Sequence, residues 1–460
     1  MRKKLHEQLP FLPAPIVHER AREYAEVSRL LDRMPQLLDL VDVDVRRGAS
    51  AETGRPGLSA EQIQRALVVK QAESWSYEQL AFHVLDSTTL RWFCRLGAFD
   101  DPPAASTWQE NIKRVSTETL DAHLQALLGL AKADGIEDGA VVRGDCTVVE
   151  TNIHHPTDSS LLWDAVRVLT RILKSARDLG VPVVFTDHRR RARRRNLGIA
   201  TVKGRGSKAK RRTMYIDLLK VVGKVVGYAQ RAAAVLDGWW PPNGDVMDGL
   251  RAHGLAAELR HYLPLVLQVV AQTERRVLHE EKVPVADKLF SLFESHTDLV
   301  VKGSRETEFG HKVFLASGRS GLVTDVVDLE GNPADTTLLD DWLARHVAEY
   351  GNPPSKTAFD GGFASKANLD RLKRAGVSDA VFHKKRGIKI SDMARSTWVY
   401  RKLRRFRAGI ESVISFIKRC FGWTRCTWRG RNSFKAYVRA SVLAANLFVY
   451  ARHRLAEAES

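Results

Sequence analysis

The strand-forming sequence of this chain falls in two widely separated blocks, and that spacing limits the folds open to it. Residues 139–152 (GAVVRGDCTVVETN) are rich in valine and threonine, a strand composition. The pattern resumes only at 298–304, 310–317 and 321–328. A helix is then expected over 335–350, a short strand over 356–360 ending at Gly361-Gly362, a helix over 364–375 and a strand over 379–383. Strands alternating with helices in this order predict an α/β layer fold with a mixed sheet. Its first two strands are separated by a long insertion, 157–297.

The insertion reads as a helix over 159–178, a short apolar run Val181–Phe185 and a basic tract from His188 to Arg212 without one acidic residue. Gly198, Gly204 and Gly206 make that tract an expected loop or arm, suited to phosphate contact through Arg189, Arg190, Arg191, Arg193, Arg194 and Arg195. Residues 213–295 read as helices broken at Trp239–Gly244.

Upstream, 1–57 is expected to form a proline-containing arm, a helix around 18–42 and a polar loop from Arg46 to Gly57. Residues 58–134 read as wholly helical. Ser59 with Gln62 and Ser76 with Gln79 have capping-box spacing, and Asp100-Asp-Pro-Pro103 punctuates the later helices. Short helices with tight breaks suit a DNA-binding or dimerisation domain. The core is assigned to 135–156 and 298–433, and a C-terminal helix to 434–460.

The formal charge of +18 argues for a polyanionic partner, nucleic acid before an anionic membrane. No apolar run reaches the roughly 18 residues of a membrane span. Met1-Arg-Lys-Lys lacks the apolar segment of a signal peptide. Cys94, Cys146, Cys420 and Cys426 form no Cys-x-x-Cys pair, which argues against a zinc ribbon or redox motif and for the reducing cytoplasm.

The basic segment 401–418 contains one carboxylate, Glu411, among cations. On a helix, Arg407, Glu411 and Lys418 fall within about 40° of one another. Ile410, Val413, Ile414 and Ile417 form an apolar stripe beside them. Such an edge can hold a divalent metal through Glu411 and phosphates through the cations. The plain alternative is a surface helix with an i,i+4 ion pair.

Two aspartates join Glu411. Asp145 lies inside an apolar strand, where a carboxylate is costly without a partner. Asp360 ends a strand just before two glycines, the place where α/β sheets build sites. Three convergent carboxylates need a cation, and a pair of Mg²⁺ ions would serve. On the residues alone, Glu150, Asp158, Asp325, Asp328, Asp340 and Asp341 remain rivals. His154 and His155, adjacent on an extended segment, point to opposite faces and suit packing or DNA contact better than one metal.

Taken together, these segments resemble the DDE-class transposases of bacterial insertion sequences. Arg407-x3-Glu411-x6-Lys418 resembles their R-x3-E-x6-K signature, Asp360-Gly-Gly-Phe363 their Asp-x-Gly-Tyr turn, and Gly144 to Ser159 the segment with their first aspartate. Lys302-Gly to Val313 is similar to their second and third strands, and 58–134 to their N-terminal domain. There are departures: Arg404 stands where relatives often have tyrosine, and Phe363 replaces the turn tyrosine. Each loses a hydroxyl that could touch DNA.

The resemblance implies a ribonuclease H-like mixed-sheet catalytic core with a helical N-terminal domain and a helical insertion. It implies Mg²⁺, or Mn²⁺ in its place, as a pair of ions on Asp145, Asp360 and Glu411, with Arg404, Arg407 and Lys418 on DNA phosphates. The expected activity is cleavage of insertion-sequence ends and joining of their 3′-hydroxyls to target DNA. A metal-dependent nuclease of the same fold and a catalytically silent DNA-binding regulator are the alternatives. The expected partners are double-stranded DNA, both transposon ends and target, and a second subunit on DNA, with no membrane. The expected location is the bacterial cytoplasm, at the nucleoid. The stripe Leu218, Val221, Val222, Val225 and Val226 offers either an internal core or a subunit contact.

Overall fold

The computed structural model describes residues 18–47, 57–97, 100–101, 103–302, 306–384 and 386–459. The expected N-terminal arm, most of the Arg46–Gly57 loop, Pro102 and residues 303–305 lie outside the described residues. The chain forms two compact units, Met1–Thr151 with Gly310–Ser460, and Asn152–Phe309.

The strands are β1 (Val141–Glu150), β2 (Asp298–Lys302), β3 (Glu306–Ser317), β4 (Val323–Asp328), β5 (Lys356–Phe359) and β6 (Asp379–Phe382). In the first unit β4 pairs antiparallel with β3, β3 antiparallel with β1, β1 parallel with β5, and β5 parallel with β6. The order β4-β3-β1-β5-β6 is a mixed sheet of ribonuclease H-like type. Alternate residues of β3 serve two cores, as the pleat requires. Val313 and Leu315 join the core built from the N-terminal helices and the helix Arg431–Glu459. Phe314 and Ala316 join the core beneath the helices Leu339–Tyr350 and Lys366–Arg374.

Gly144 on β1 is a contact point of this second core. A Cβ there would fall 2.6 Å from Phe359 Cε1, and Phe359 is fully buried, edge-on to Trp342 at 4.9 Å. We expect Gly144→Ala to cost about 1–3 kcal/mol, the usual penalty for overpacking a filled core. Denaturant unfolding measures the loss, and Phe359→Leu in the same chain should return most of it. An unchanged midpoint for Gly144→Ala would show that the ring moves freely.

The N-terminal helices form as their caps direct. Both expected capping boxes are made, at Ser59–Gln62 and Ser76–Gln79. The helix expected around 18–42 is instead two, Glu19–Asp32 and Leu37–Arg46. Pro35 stands between them and cannot donate to a helical ladder. The C-terminal helix is buried along most of its length, from Phe434 to Ala451.

The second unit is helical around its own core. Its long helices are Asp158–Asp178, Ser207–Gly238 and Val246–Thr273. The stripe Leu218, Val221, Val222, Val225 and Val226 is buried inside that core, so the alternative of an exposed subunit contact is withdrawn. The basic tract is also corrected. It is no loop: Arg189–Thr201 is a helix, and the next begins at Ser207. Burial of Ala192 and Ile199 on one side, and ion pairs from Arg191 and Arg195 to Asp217, supply the order that charge repulsion would otherwise deny. Among the described residues, no helix is long and apolar enough to cross a membrane.

Candidate active site

Gly144 of β1 pairs in register with Phe359 of β5. Asp145 and Asp360 are therefore the next residues along two parallel neighbours, at the carboxyl end of β5. Asp360 is in extended backbone and opens the short turn Gly361–Phe363. Phe363 is wholly buried against Phe314 and Phe359, so this position of the turn belongs to the core.

Glu411 comes from the helix Thr397–Cys420, capped by the Ser396 side chain. Ile410 and Ile417 are buried and Val413 and Ile414 partly so, which fixes the helix face by face as the apolar stripe predicts. Arg143, two residues before Asp145, ties this helix to β1. Its Nη1 donates to the Phe406 carbonyl at 3.0 Å, and its guanidinium lies 4.6 Å from the centre of the Phe406 ring. Gly409 makes room for it, since a Cβ would fall 2.0 Å from Arg143 Nη1. Arg143 is not among the residues expected at the site. The one signal was a cation inside a valine-rich strand, spaced to share the face of Asp145.

Arg407 joins the three carboxylates. Its Nη2 lies 2.7 Å from Asp145 Oδ2 and 3.2 Å from Asp360 Oδ1, and its Nη1 donates to Glu411 Oε1 at 2.9 Å. The residue is 8% exposed. The expectation of an edge offering Arg407 to phosphate is thus revised: in this structure its partners are carboxylates. The physical reason is the burial of Asp145, which needs a positive neighbour. Burial pushes the Asp145 carboxyl up to about 6, with Arg407 opposing the rise and Asp360 adding to it.

All the rival carboxylates but Asp341 have an arginine elsewhere. Glu150 pairs with Arg425, Asp158 with Arg276, Asp325 with Arg345, Asp328 with Arg431 and Arg439, and Asp340 with Arg371. Asp145, Asp360 and Glu411 instead share one guanidinium. Their all-oxygen donor set suits a hard cation such as Mg²⁺ or Mn²⁺. Their arrangement is gathered on Arg407: among the described residues, no group of three His, Cys, Asp or Glu side chains is placed to hold a metal ion.

The remaining expected DNA contacts are dispersed. Arg404 is exposed and its Nε faces His383 Nδ1 at 3.4 Å. Lys418 is half-buried. Arg189 pairs with Asp187, and Arg191 and Arg195 with Asp217, whereas Arg190, Arg193 and Arg194 are exposed along the outer side of their helix. His154 lies 3.6 Å from Asp164, and His155 packs edge-on to Phe309.

Two family models match this chain. Residues 297–447 match the transposase DDE domain, and residues 19–114 match a transposase domain, DUF772. No curated protein and no solved structure matches it. Together the two segments span more than half of the chain, which belongs to the DDE transposases of insertion sequences. It is therefore a DNA transposase. Asp360 and Glu411 lie within the DDE match. Asp145 lies outside both matches, and its place beside them rests on the β1–β5 register and on the shared Arg407.

Proposed function

We propose that this transposase cleaves the ends of its element and joins the exposed 3′-hydroxyls to target DNA, using Asp145, Asp360 and Glu411 for both steps. The observation that carries this reading is the convergence of the three side chains on one guanidinium from β1, from the end of β5 and from the helix Thr397–Cys420. Asp145, Asp360 and Glu411 would hold divalent metal, Mg²⁺ or Mn²⁺, which in this chemistry polarises the scissile phosphate and activates the attacking oxygen. Arg407 keeps the carboxylates together against their mutual repulsion. Arg404 and Lys418, on the same helix, supply positive charge for the phosphates flanking the cut.

A strand-transfer assay with end DNA, Mg²⁺ and a target plasmid tests the reading. Joined product supports it. Cleavage without joining would favour a nuclease, and binding without cleavage a regulator. Joining two ends also calls for two active sites, so we expect a dimer on paired ends. Light scattering of the joined complex measures this, and a single subunit competent in paired-end joining would refute it.

The outer side of the helix Arg189–Thr201 adds a sequence-independent grip on DNA. We expect the triple variant Arg190→Gln, Arg193→Gln, Arg194→Gln to make the salt dependence of binding shallower, by about 0.9 in log–log slope for each phosphate no longer neutralised. Preference for the end sequence should hold. A variant with altered preference and an unaltered slope would place these arginines on bases instead.

A further inference from the structure

Beyond the carboxylate site and the basic helix, the first unit has a second cationic hollow. A cavity of about 430 Å³ is lined by Arg47, Lys113, Arg114, Asn432, Ser433 and Lys435 among others. These residues come from three separated parts of the chain. Arg47 follows the helix Leu37–Arg46, Lys113 and Arg114 follow the helix Ala105–Ile112, and Asn432, Ser433 and Lys435 open the helix Arg431–Glu459.

Charge in the hollow is unbalanced. Arg114 is paired with Glu110 and bonds the Val45 carbonyl. Asp44 accepts the Ser116 amide at 2.7 Å, and Glu118 is exposed in the first turn of the helix Thr117–Ala133. Among the described residues, Arg47, Lys113 and Lys435 have no carboxylate partner. Lys113 is half-buried, its ammonium 5.8 Å from the centre of the Tyr77 ring. Burial pushes that ammonium down, and nearby Arg429 adds to the fall. Two helices, Thr117–Ala133 and Arg431–Glu459, also begin at this hollow; in the first, the Ser116 hydroxyl already accepts the Thr119 amide. Hydroxyl and amide side chains at Ser433 and Asn432 suit phosphate oxygens as further donors.

We propose that this hollow grips the sugar-phosphate backbone of duplex DNA, through Arg47, Lys113 and Lys435, at a place separate from the carboxylate site. The inference rests on the reading of this chain as a DNA-binding transposase. It assigns to the N-terminal helical region and the start of the C-terminal helix one shared anchoring surface. The contacts are to phosphates, so they fix position without reading sequence.

Fluorescence anisotropy of the full chain with a labelled duplex, in EDTA and over a series of salt concentrations, tests this without any chemical step. The double variant Lys113→Gln, Lys435→Gln should bind about tenfold more weakly, with a slope of log affinity against log salt shallower by about 1–2. Its thermal melting should match the parent. Arg47→Gln, an exposed change that cannot disturb the core, should shift the slope in the same direction. Lys282→Gln, in the second unit, should change neither quantity. If the parent binds tightly with a steep slope and the hollow variants match it, the anchoring surface is refuted while the transposase reading stands. If the parent fails to bind duplex at all, both fall.

Discussion

Asp360→Asn should bind end DNA as tightly as the parent chain and neither cut nor join it. The amide preserves the shape of the turn that Asp360 opens, while removing the charge that a metal ion would bind. Loss of one such ligand removes several kcal/mol of transition-state stabilisation, so the rate should fall by at least about a thousandfold, or ~4 kcal/mol. Asp145→Asn and Glu411→Gln should behave alike. Asp145 is the more exacting case, because it lies in neither segment matched to a family model. An Asp145→Asn protein with full joining activity would return the first acidic role to Glu150 or Asp158, despite their separate arginine partners. Gel analysis of cleaved and joined products separates these outcomes, and a binding measurement on the same proteins guards against simple unfolding.

Replacing Arg407 should have the second large effect, first on stability. Arg407→Gln leaves the mostly buried Asp145 without its cation. Breaking a buried pair costs about 3–5 kcal/mol. The side chains of Asp360 and Glu411 are 36% and 67% exposed, so water screens their share. A net loss of about 2–4 kcal/mol in EDTA is expected. Mg²⁺ should then stabilise the variant more than the parent, since the carboxylates no longer have a competing cation and ligand binding to the folded state adds stability. Thermal melting with and without Mg²⁺ reads both effects. An unchanged melting point in EDTA would show that Arg407 does not hold the cluster. An equal response of the two proteins to Mg²⁺ would show that Arg407 and the metal do not compete.

Much of the architecture follows from local sequence. Valine-rich alternation marks β1, and the Ser–Gln spacings set two helix starts by capping chemistry that involves only four residues at a time. The apolar stripe Ile410 to Ile417 fixes which side of its helix faces inward. Asp145, Asp360 and Glu411 were also identifiable as candidates, the first two from their unusual settings and the third as a lone acid among cations. Local sequence could not choose among the carboxylates, because all carry the same charge and differ only in their neighbours. The parallel register of β1 and β5 brings Asp145 and Asp360 side by side although they are far apart in the chain.

Tertiary structure alone also decided the partners of the cations. On a helical wheel Arg407 looks like a surface arginine beside Glu411, yet the sheet beneath buries it against Asp145 and Asp360. A run of arginines between glycines reads as a loop when only charge and composition are weighed. Two buried apolar residues and a distant Asp217 make it a helix. In each case the missing information is which opposite charge lies across a tertiary contact. That depends on chain topology, which the spacing of residues within one element does not encode.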